Sequence, residues 1–275
     1  MNKIFIFGKN GFIAKELIRK LRKKKFIFMS FSKKVINLEK KNSINKIKSL
    51  IKDESIIIFI SAIAPCRNIF QLKKNKIMAL NLIKGLFKKK IKQIIYISSD
   101  AVYSDSKKKI TERSKCKPLT YHGKMHLFRE KILLKNFKKN LTILRPTLIY
   151  GKGDTHNSYG PNKFLKLVSR NKNIELFGKG EELRDHISIN DITDLIILTL
   201  GKNLNKKINL VSGKVLSFFN IAKLCISKNK KSKIIFINRQ GPIPHNGIRV
   251  FDNSILKKTF KNFYFENIKE YIKNY

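Results

Sequence analysis

The 275-residue chain has no tryptophan, only three cysteines, six prolines and 13 glycines, and 18 acidic residues against 61 basic ones. Cys66, Cys116 and Cys225 are far apart and odd in number, with no C-x-x-C pair. That excludes a disulfide framework and a thiol-based metal or redox motif, and they read as buried or incidental thiols. No stretch rich in Pro, Gly or Ser divides the chain and no internal repeat is visible, which excludes a tethered-module or solenoid organisation. No apolar run approaches the roughly 18 residues of a membrane span; the longest, "SIIIFISAIA", is about ten and reads as a buried strand. The opening "MNKIFIFGKNGFIAKEL" is broken by Gly8 and Lys9 before any h-region or cleavage site, so the expectation is a cytoplasmic protein.

What the chain has in abundance is lysine, isoleucine and asparagine. A formal charge of +43 is a balance that draws chains to nucleic acid or anionic surfaces. Nucleic-acid binding, however, gathers basic residues into a stripe or an arginine-rich segment with interleaved aromatics. Here lysine is spread over the whole length, the pattern of drift toward one set of codons with lysine accepted at solvated positions. Nucleic acid is therefore not the expected partner, although the positive field favours small anionic substrates. With 42% hydrophobic residues the chain can bury a full core, as one large domain or two interlocked lobes.

Short apolar strands alternate with helical segments from the first residues: "KIFIFG", "AKELIRKLRKKK", "FIFMSF", "SIIIFISA", "MALNLIKGLFKKK", "QIIYISS". That alternation predicts an α/β fold with a doubly wound parallel sheet covered on both faces. "LTILRPTLIY" predicts one further strand. Beyond Gly151 the rhythm loosens, with a helix around "NKFLKLVSR", strands "IELFG" and "KINLVSG" and a closing helix "ENIKEYIKN". The expected division is a Rossmann-type domain over residues 1–150 and a smaller lobe over 151–275, interleaved with the last strands of the sheet.

"KIFIFGKNGFIAKELIRKL" sets Gly8, Gly11 and Ala14 directly between a strand and a helix. Small residues there allow a tight turn, a close approach of backbone to a pyrophosphate, and close packing of helix on strand, with the anion at the positive helix end. The spacing therefore points to dinucleotide binding. At the end of the second strand, where an acidic residue would bond the ribose of NAD, stand Ser30, Ser32, Lys33 and Lys34; the nearest downstream acid is Glu39. The cofactor is NADP or NAD, with NADP favoured.

Four further stretches complete the set: Asn75 and Asn81 in "NKIMALNLI", Ser99 in "YISSDAVYSD", Pro146 in "LRPTLIYG", and Gly178, Gly180, Arg184, Asp185 and Asp191 in "FGKGEELRDHISINDI". On these motifs nearly the whole chain resembles the extended short-chain dehydrogenases/reductases, the nucleotide-sugar epimerase/dehydratase family. The resemblance implies a cofactor site built from Gly8, Asn10, Gly11, Phe12, Ile13, Ser32, Lys33, Ala62, Asn75 and Pro146. It implies that Ser99 orients the reacting oxygen, and that Arg184 and Asp185 meet the substrate's nucleotide diphosphate, for which a planar guanidinium is suited. In isolation Arg184 and Asp185 would read as an ion pair. The resemblance also implies a nucleotide-sugar substrate and a homodimer formed through the helices before "QIIYISS" and after Tyr121.

The stretch "PLTYHGKMHLFRE" departs from the family's Tyr-x-x-x-Lys, in which both side chains share a helix face and the lysine holds the ribose and lowers the tyrosine pKa. A free tyrosine titrates near 10, about three units above neutrality, so a missing cation matters. Matching Gly123 and Glu130 to the flanking family residues puts His122 at the tyrosine position and His126 at the lysine position. Matching Tyr121 instead puts Met125 in the lysine position, with Lys124 one residue early. The first frame is favoured for the register. Three outcomes stay open: His122 is the acid/base; Tyr121 is, with His126 or Lys124 as its cation; or the protein binds ligands without turnover, as a sensor or scaffold or, with less support, an RNA-binding member. A zinc pair is the other reading of two histidines at that spacing.

Overall fold

The computed structural model describes residues 3–154, 159–227 and 231–275. The first elements are β1 (Ile4–Phe7), α1 (Phe12–Lys23), β2 (Phe28–Phe31), α2 (Asn42–Leu50), β3 (Ile56–Phe59), α3 (Ile69–Leu86), β4 (Gln93–Ile97), α4 (Tyr121–Phe137) and β5 (Leu141–Pro146). Beyond them come β6 (Leu148–Tyr150), α5 (Pro161–Val168), β7 (Ile174–Phe177), β8 (Leu183–Ser188), α6 (Ile189–Thr199), β9 (Lys207–Leu210), β10 (Val215–Ser217), α7 (Phe218–Ile226), β11 (Ile234–Ile237), β12 (Ile248–Arg249), α8 (Ser254–Thr259) and α9 (Ile268–Lys273). Two compact units emerge: residues 1–104, 114–146 and 192–208 form one, and residues 105–113, 147–191 and 209–275 the other.

The main sheet has the order β2-β1-β3-β4-β5-β9, and β1 to β5 pair in parallel. The doubly wound sheet expected from strand–helix alternation is therefore present. β1, β3 and β4 are buried at every residue, as strands covered on both faces must be. Phe5, Phe7, Ile57, Phe59, Ile94 and Tyr96 build the core with residues of α3 and α4, each such side chain stabilising the fold by roughly 1.5–3 kcal/mol. The apolar stretch 141–150, which reads as one strand, is two. β5 stops at Pro146, whose nitrogen has no hydrogen to give a ladder, and β6 pairs with β8 instead.

In the second unit β8 is central, with β10 antiparallel and β12 and β6 parallel to it, while β7 and β11 form a parallel pair. Its core gathers Phe164, Ile174, Leu176, Phe218 and Ile221.

Candidate active site

β1 ends where the chain order reverses between β1 and β3, the point at which parallel sheets open a crevice at their carboxyl ends. The amides of Ile60 and Ser61 both donate to the Phe7 carbonyl, at 3.0 and 2.8 Å, which brings the loop after β3 against Gly8. Gly8 has φ +115°, and a Cβ there would stand 2.8 Å from the Ser61 nitrogen and 3.0 Å from its Cα. Backbone atoms cannot swing aside, so only glycine fits. The Gly11 amide donates to the Gly8 carbonyl at 2.9 Å and closes the turn. Gly11 also caps α1 without any side-chain acceptor, so the first helical amides and the positive helix end are left for an anion. Ala14 is wholly buried under the turn. Asn10 is exposed, Phe12 buried and Ile13 half-buried at its rim.

At the end of β2, the Ser32 carbonyl accepts the amides of Val35 and Ile36, and Lys33 Nζ pairs with Glu39 at 2.5 Å while Lys74 lies 4.0 Å from the same carboxylate. Asn81 donates to the Leu38 and Lys40 carbonyls and so holds the segment that carries Glu39. Asn75 does the same for the loop after β3. Its Oδ1 accepts from the Ile63 amide and from Arg129, and its Nδ2 donates to the carbonyls of Ile63 and Gln71. All four hydrogen-bonding positions of the amide are thereby used. Asn75, expected at the cofactor, has its amide engaged within the protein and braces the loop after β3, which includes the half-buried Ala62.

β4 runs into Ser98 and Ser99. Ser98 Oγ donates to Glu130 at 2.6 Å, and Arg145 grips the same carboxylate through Nε at 2.8 Å and Nη2 at 2.5 Å, with both side chains essentially fully buried. Burial alone would lower the Arg145 pKa, but the Glu130 carboxylate more than offsets it and the pKa is raised. Pro146, the next residue, is buried at the end of β5. Ser99 caps a short turn over Asp100–Val102 by accepting the Ala101 amide at 3.1 Å.

Thr120 caps α4 by accepting the Gly123 amide at 3.1 Å. Gly123 is pressed onto the Ser99–Ala101 turn: a Cβ there would lie 2.1 Å from the Ala101 carbonyl oxygen and 2.5 Å from Pro118 Cβ. The helix therefore meets the turn at residue 123, and the side chain just before that contact is His122. Tyr121 opens the helix, 39% exposed, with Lys124 Nζ 5.6 Å from its ring centroid. Met125 is wholly buried against Cys66, Leu72 and Ala62, an apolar setting for the position that the second frame gives to lysine.

His122 and His126 meet edge to face, with ring centroids 4.7 Å apart. His122 Nδ1 accepts the Cys66 amide at 3.4 Å. His126 is 5% exposed, and its Nδ1 lies 2.7 Å from the Tyr96 hydroxyl. Burial, then the charges of His122 and Arg129, hold its pKa well below the usual imidazole range, so at neutral pH it is uncharged. The cation expected at position 126 is accordingly not supplied by His126 itself. Arg129, also fully buried, donates to the Ser61 carbonyl at 2.7 Å and to the Asn75 carbonyl at 2.9 and 3.1 Å. Among the described residues no group of three or more His, Cys, Asp or Glu side chains is placed to hold a metal ion.

Within the second unit, Arg184 is buried and pairs with Glu182 at 2.7 Å, with a further bond to the Pro244 carbonyl at 2.9 Å. Glu182 also pairs with Arg239 at 2.6 Å, so one carboxylate serves two guanidinium groups. Asp185, expected beside the substrate, accepts the amides of Ser212 and Gly213 at 2.9 and 2.7 Å and the Ser212 hydroxyl at 3.1 Å. It is a buried turn-holding carboxylate. Asp191 accepts the Glu266 amide.

Residues 4–211 match the model of the NAD dependent epimerase/dehydratase family. The chain belongs to that family. A GDP-6-deoxy-D-talose 4-dehydrogenase of Aggregatibacter actinomycetemcomitans is 27% identical over 232 residues, 81% of this chain and 78% of that protein. Among solved structures, a UDP-glucuronic acid 4-epimerase from Bacillus cereus, in complex with UDP-glucuronic acid and NAD, matches with a TM-score of 0.82 at 20% identity over 98% of this chain and 96% of that one. A GDP-L-fucose synthetase from Naegleria fowleri matches with a TM-score of 0.85 at 15% identity over 99% and 91%. An epimerase/dehydratase-family chain calls for a dinucleotide, and the Gly8 cradle, closed to any Cβ and open at the α1 amides, fits its pyrophosphate. None of the described helices is long and apolar enough to cross a membrane.

Tyr96, Arg129, Arg145 and Glu182 escape a reading for function by sequence alone. Tyr96 looks like an ordinary strand residue in "QIIYISS", and the arginines are lost among 61 basic residues. The available signal is periodic: Arg129 stands three residues after His126 and seven after His122, on the same helix face.

Proposed function

We propose that this family member removes or returns a hydride at a ring carbon of a nucleotide-linked sugar, as an epimerase, dehydratase or ketoreductase, with an altered acid/base pair. The observation that carries the reading is the Gly123 contact with the Ala101 carbonyl, which brings the start of α4, one residue after His122, against the Ser99 turn. A bound nicotinamide dinucleotide supplies the acceptor and donor of the hydride. The first unit holds that cofactor, with the turn at Gly8 and Gly11 receiving the pyrophosphate; Arg184 is the candidate contact for the substrate's phosphates. Ser99 orients the reacting oxygen by hydrogen bonding. His122 exchanges the proton with that oxygen: imidazole titrates near 6.5 and so works near neutrality without a cationic neighbour, which a phenol does not. The Cys66 amide at Nδ1 directs that exchange to Nε2.

The test is a single-turnover experiment with NADP or NAD and a panel of nucleotide sugars, following cofactor absorbance and product mass. His122→Phe is expected to abolish turnover and Tyr121→Phe to leave most of it, with a rate governed by a group near pH 6–7. The reverse pattern, or control only by a group at 9 or above, sinks the assignment.

The neutral state of His126 favours one second reading, a dinucleotide-binding protein of this fold without turnover; tight cofactor binding with no conversion of any sugar would establish it. NADP is the proposed cofactor, supported by Ser32 and Lys33 where an acid would select NAD; Lys33→Glu is expected to shift the ratio of dissociation constants toward NAD. A homodimer is proposed through α3 and α4, supported by the solvent-facing Phe70, Ile77 and Leu80 on α3. Ile77→Asp with Leu80→Asp should then give a monomer by light scattering.

A further inference from the structure

His126 stands at the lysine position but carries no charge there, and the group it touches is Tyr96, a core residue of β4. We propose that Tyr96 is a positioning residue for the cofactor site: its hydroxyl donates to His126 Nδ1 and fixes the imidazole as the neutral tautomer with its proton on Nε2. His126 so held presents one aimed N–H donor where the family has an ammonium. The fixed positive charge of the site is moved to Arg129, three residues along the helix. The inference rests on reading the start of α4 as the cofactor and proton-transfer site.

The direction of the Tyr96 bond follows from its surroundings. A 2.7 Å separation between Oη and Nδ1 requires one proton between them, and both groups lie in the core. Burial pushes the phenol pKa up, so the hydroxyl keeps its proton, while the charge of nearby Arg129 polarises it and makes it the better donor. A neutral imidazole that accepts at Nδ1 must carry its hydrogen at Nε2. The alternative, a second proton on His126, would place a cation beside both His122 and Arg129.

Arg129 cannot give up its charge, and no carboxylate pairs with it among the described residues. Its donors go to the carbonyl oxygens of Ser61 and Asn75 and to Asn75 Oδ1. Its guanidinium lies 4.9 Å from the Phe59 ring centroid, and that ring packs on Tyr96 with centroids 5.4 Å apart. A buried guanidinium held by carbonyl oxygens, Met78 Sδ and the Tyr96 hydroxyl, none of which carries a counter-charge, is a standing positive potential behind the histidine pair. Through Ser61 and Asn75 it is also tied to the loop that closes on Gly8.

The experiment is a long-range proton–nitrogen imidazole spectrum of the 15N-labelled full chain at pH 7, with His126 assigned by its loss in His126→Gln. A neutral Nε2–H pattern is expected; a doubly protonated ring or an Nδ1–H pattern overturns the proposal. In Tyr96→Phe the Nδ1 resonance should lose its hydrogen-bonded shift and the dissociation constant for NADP should rise about tenfold, the worth of one hydrogen bond. An unchanged spectrum together with unchanged binding refutes the role. His126→Lys, which restores the family residue, is expected to weaken NADP binding because its ammonium would sit beside Arg129; tighter binding would show that charge at 126 is what the site needs. Failure of wild-type protein to bind any dinucleotide would defeat the proposed function, while the tautomer measurement would still stand or fall by itself.

Discussion

Gly123→Ala is the sharpest single perturbation of the site. The new methyl carbon would begin 2.1 Å from the Ala101 carbonyl oxygen and 2.5 Å from Pro118 Cβ, and an ordinary contact to that oxygen requires the helix start and the Ser99 turn to separate by about 1 Å. Overpacking of this kind costs about 1–3 kcal/mol, while alanine recovers up to about 1 kcal/mol of helix propensity over glycine. The net loss of stability is therefore small, about 0–2 kcal/mol, or a melting temperature lower by only a few degrees in a protein of this size. Activity should suffer far more, because a displacement of about 1 Å between reacting groups costs about 100-fold in rate. Thermal unfolding and single-turnover kinetics on the same preparation separate the two effects. A variant that turns over at the wild-type rate would refute the claim that Gly123 sets the distance between Ser99 and His122.

Gly8→Ala should abolish the rise in melting temperature that NADP produces, since its Cβ meets the Ser61 backbone and its φ is in the left-handed region; a normal ligand-induced shift would show that the pyrophosphate does not use this turn. Glu130→Gln leaves the Arg145 guanidinium buried without its counter-charge and should cost about 3–5 kcal/mol, measurable by urea unfolding, whereas a loss below about 1 kcal/mol would mean the pair is not desolvated as described. His186, buried on β8 with its ring edge-on to Phe218, has its pKa lowered by burial to about 4. The unfolded chain binds that proton near 6.5, so stability is full above pH 6.5 and declines as pH falls toward 4, by about 3 kcal/mol in all. His186→Phe should flatten that part of the stability curve, and parallel curves for the two proteins would count against it.

Strand–helix alternation and the glycine turn could be read from residues alone because parallel strands buried on both faces leave continuous apolar runs, and because a backbone at φ +115° admits little but glycine. Gly123, singled out as a flanking residue of the altered motif, is where the start of α4 meets the Ser99 turn. What escaped was the layer behind. Asn75, Asp185 and Tyr96 are polar groups with partners 12, 27 and 30 residues away, and no local spacing announces a hydrogen bond across the fold. The break between β5 and β6 was hidden for a related reason: Pro146 sits inside an apolar run, and only the pairing of β6 with β8 shows that the chain has changed sheets.

The chain holds 51 lysines and ten arginines, and no lysine among the described residues is buried, whereas Arg129, Arg145, Arg184 and Arg249 all are. Composition here acts as a sieve. Where solvent surrounds a basic side chain, either residue serves and the compositional tide has carried lysine in; where a rigid fork must feed several acceptors out of water, lysine's single point charge is no substitute. Arginine in this background is a rare letter, and each occurrence has a better than ordinary chance of marking a place where the molecule has no alternative.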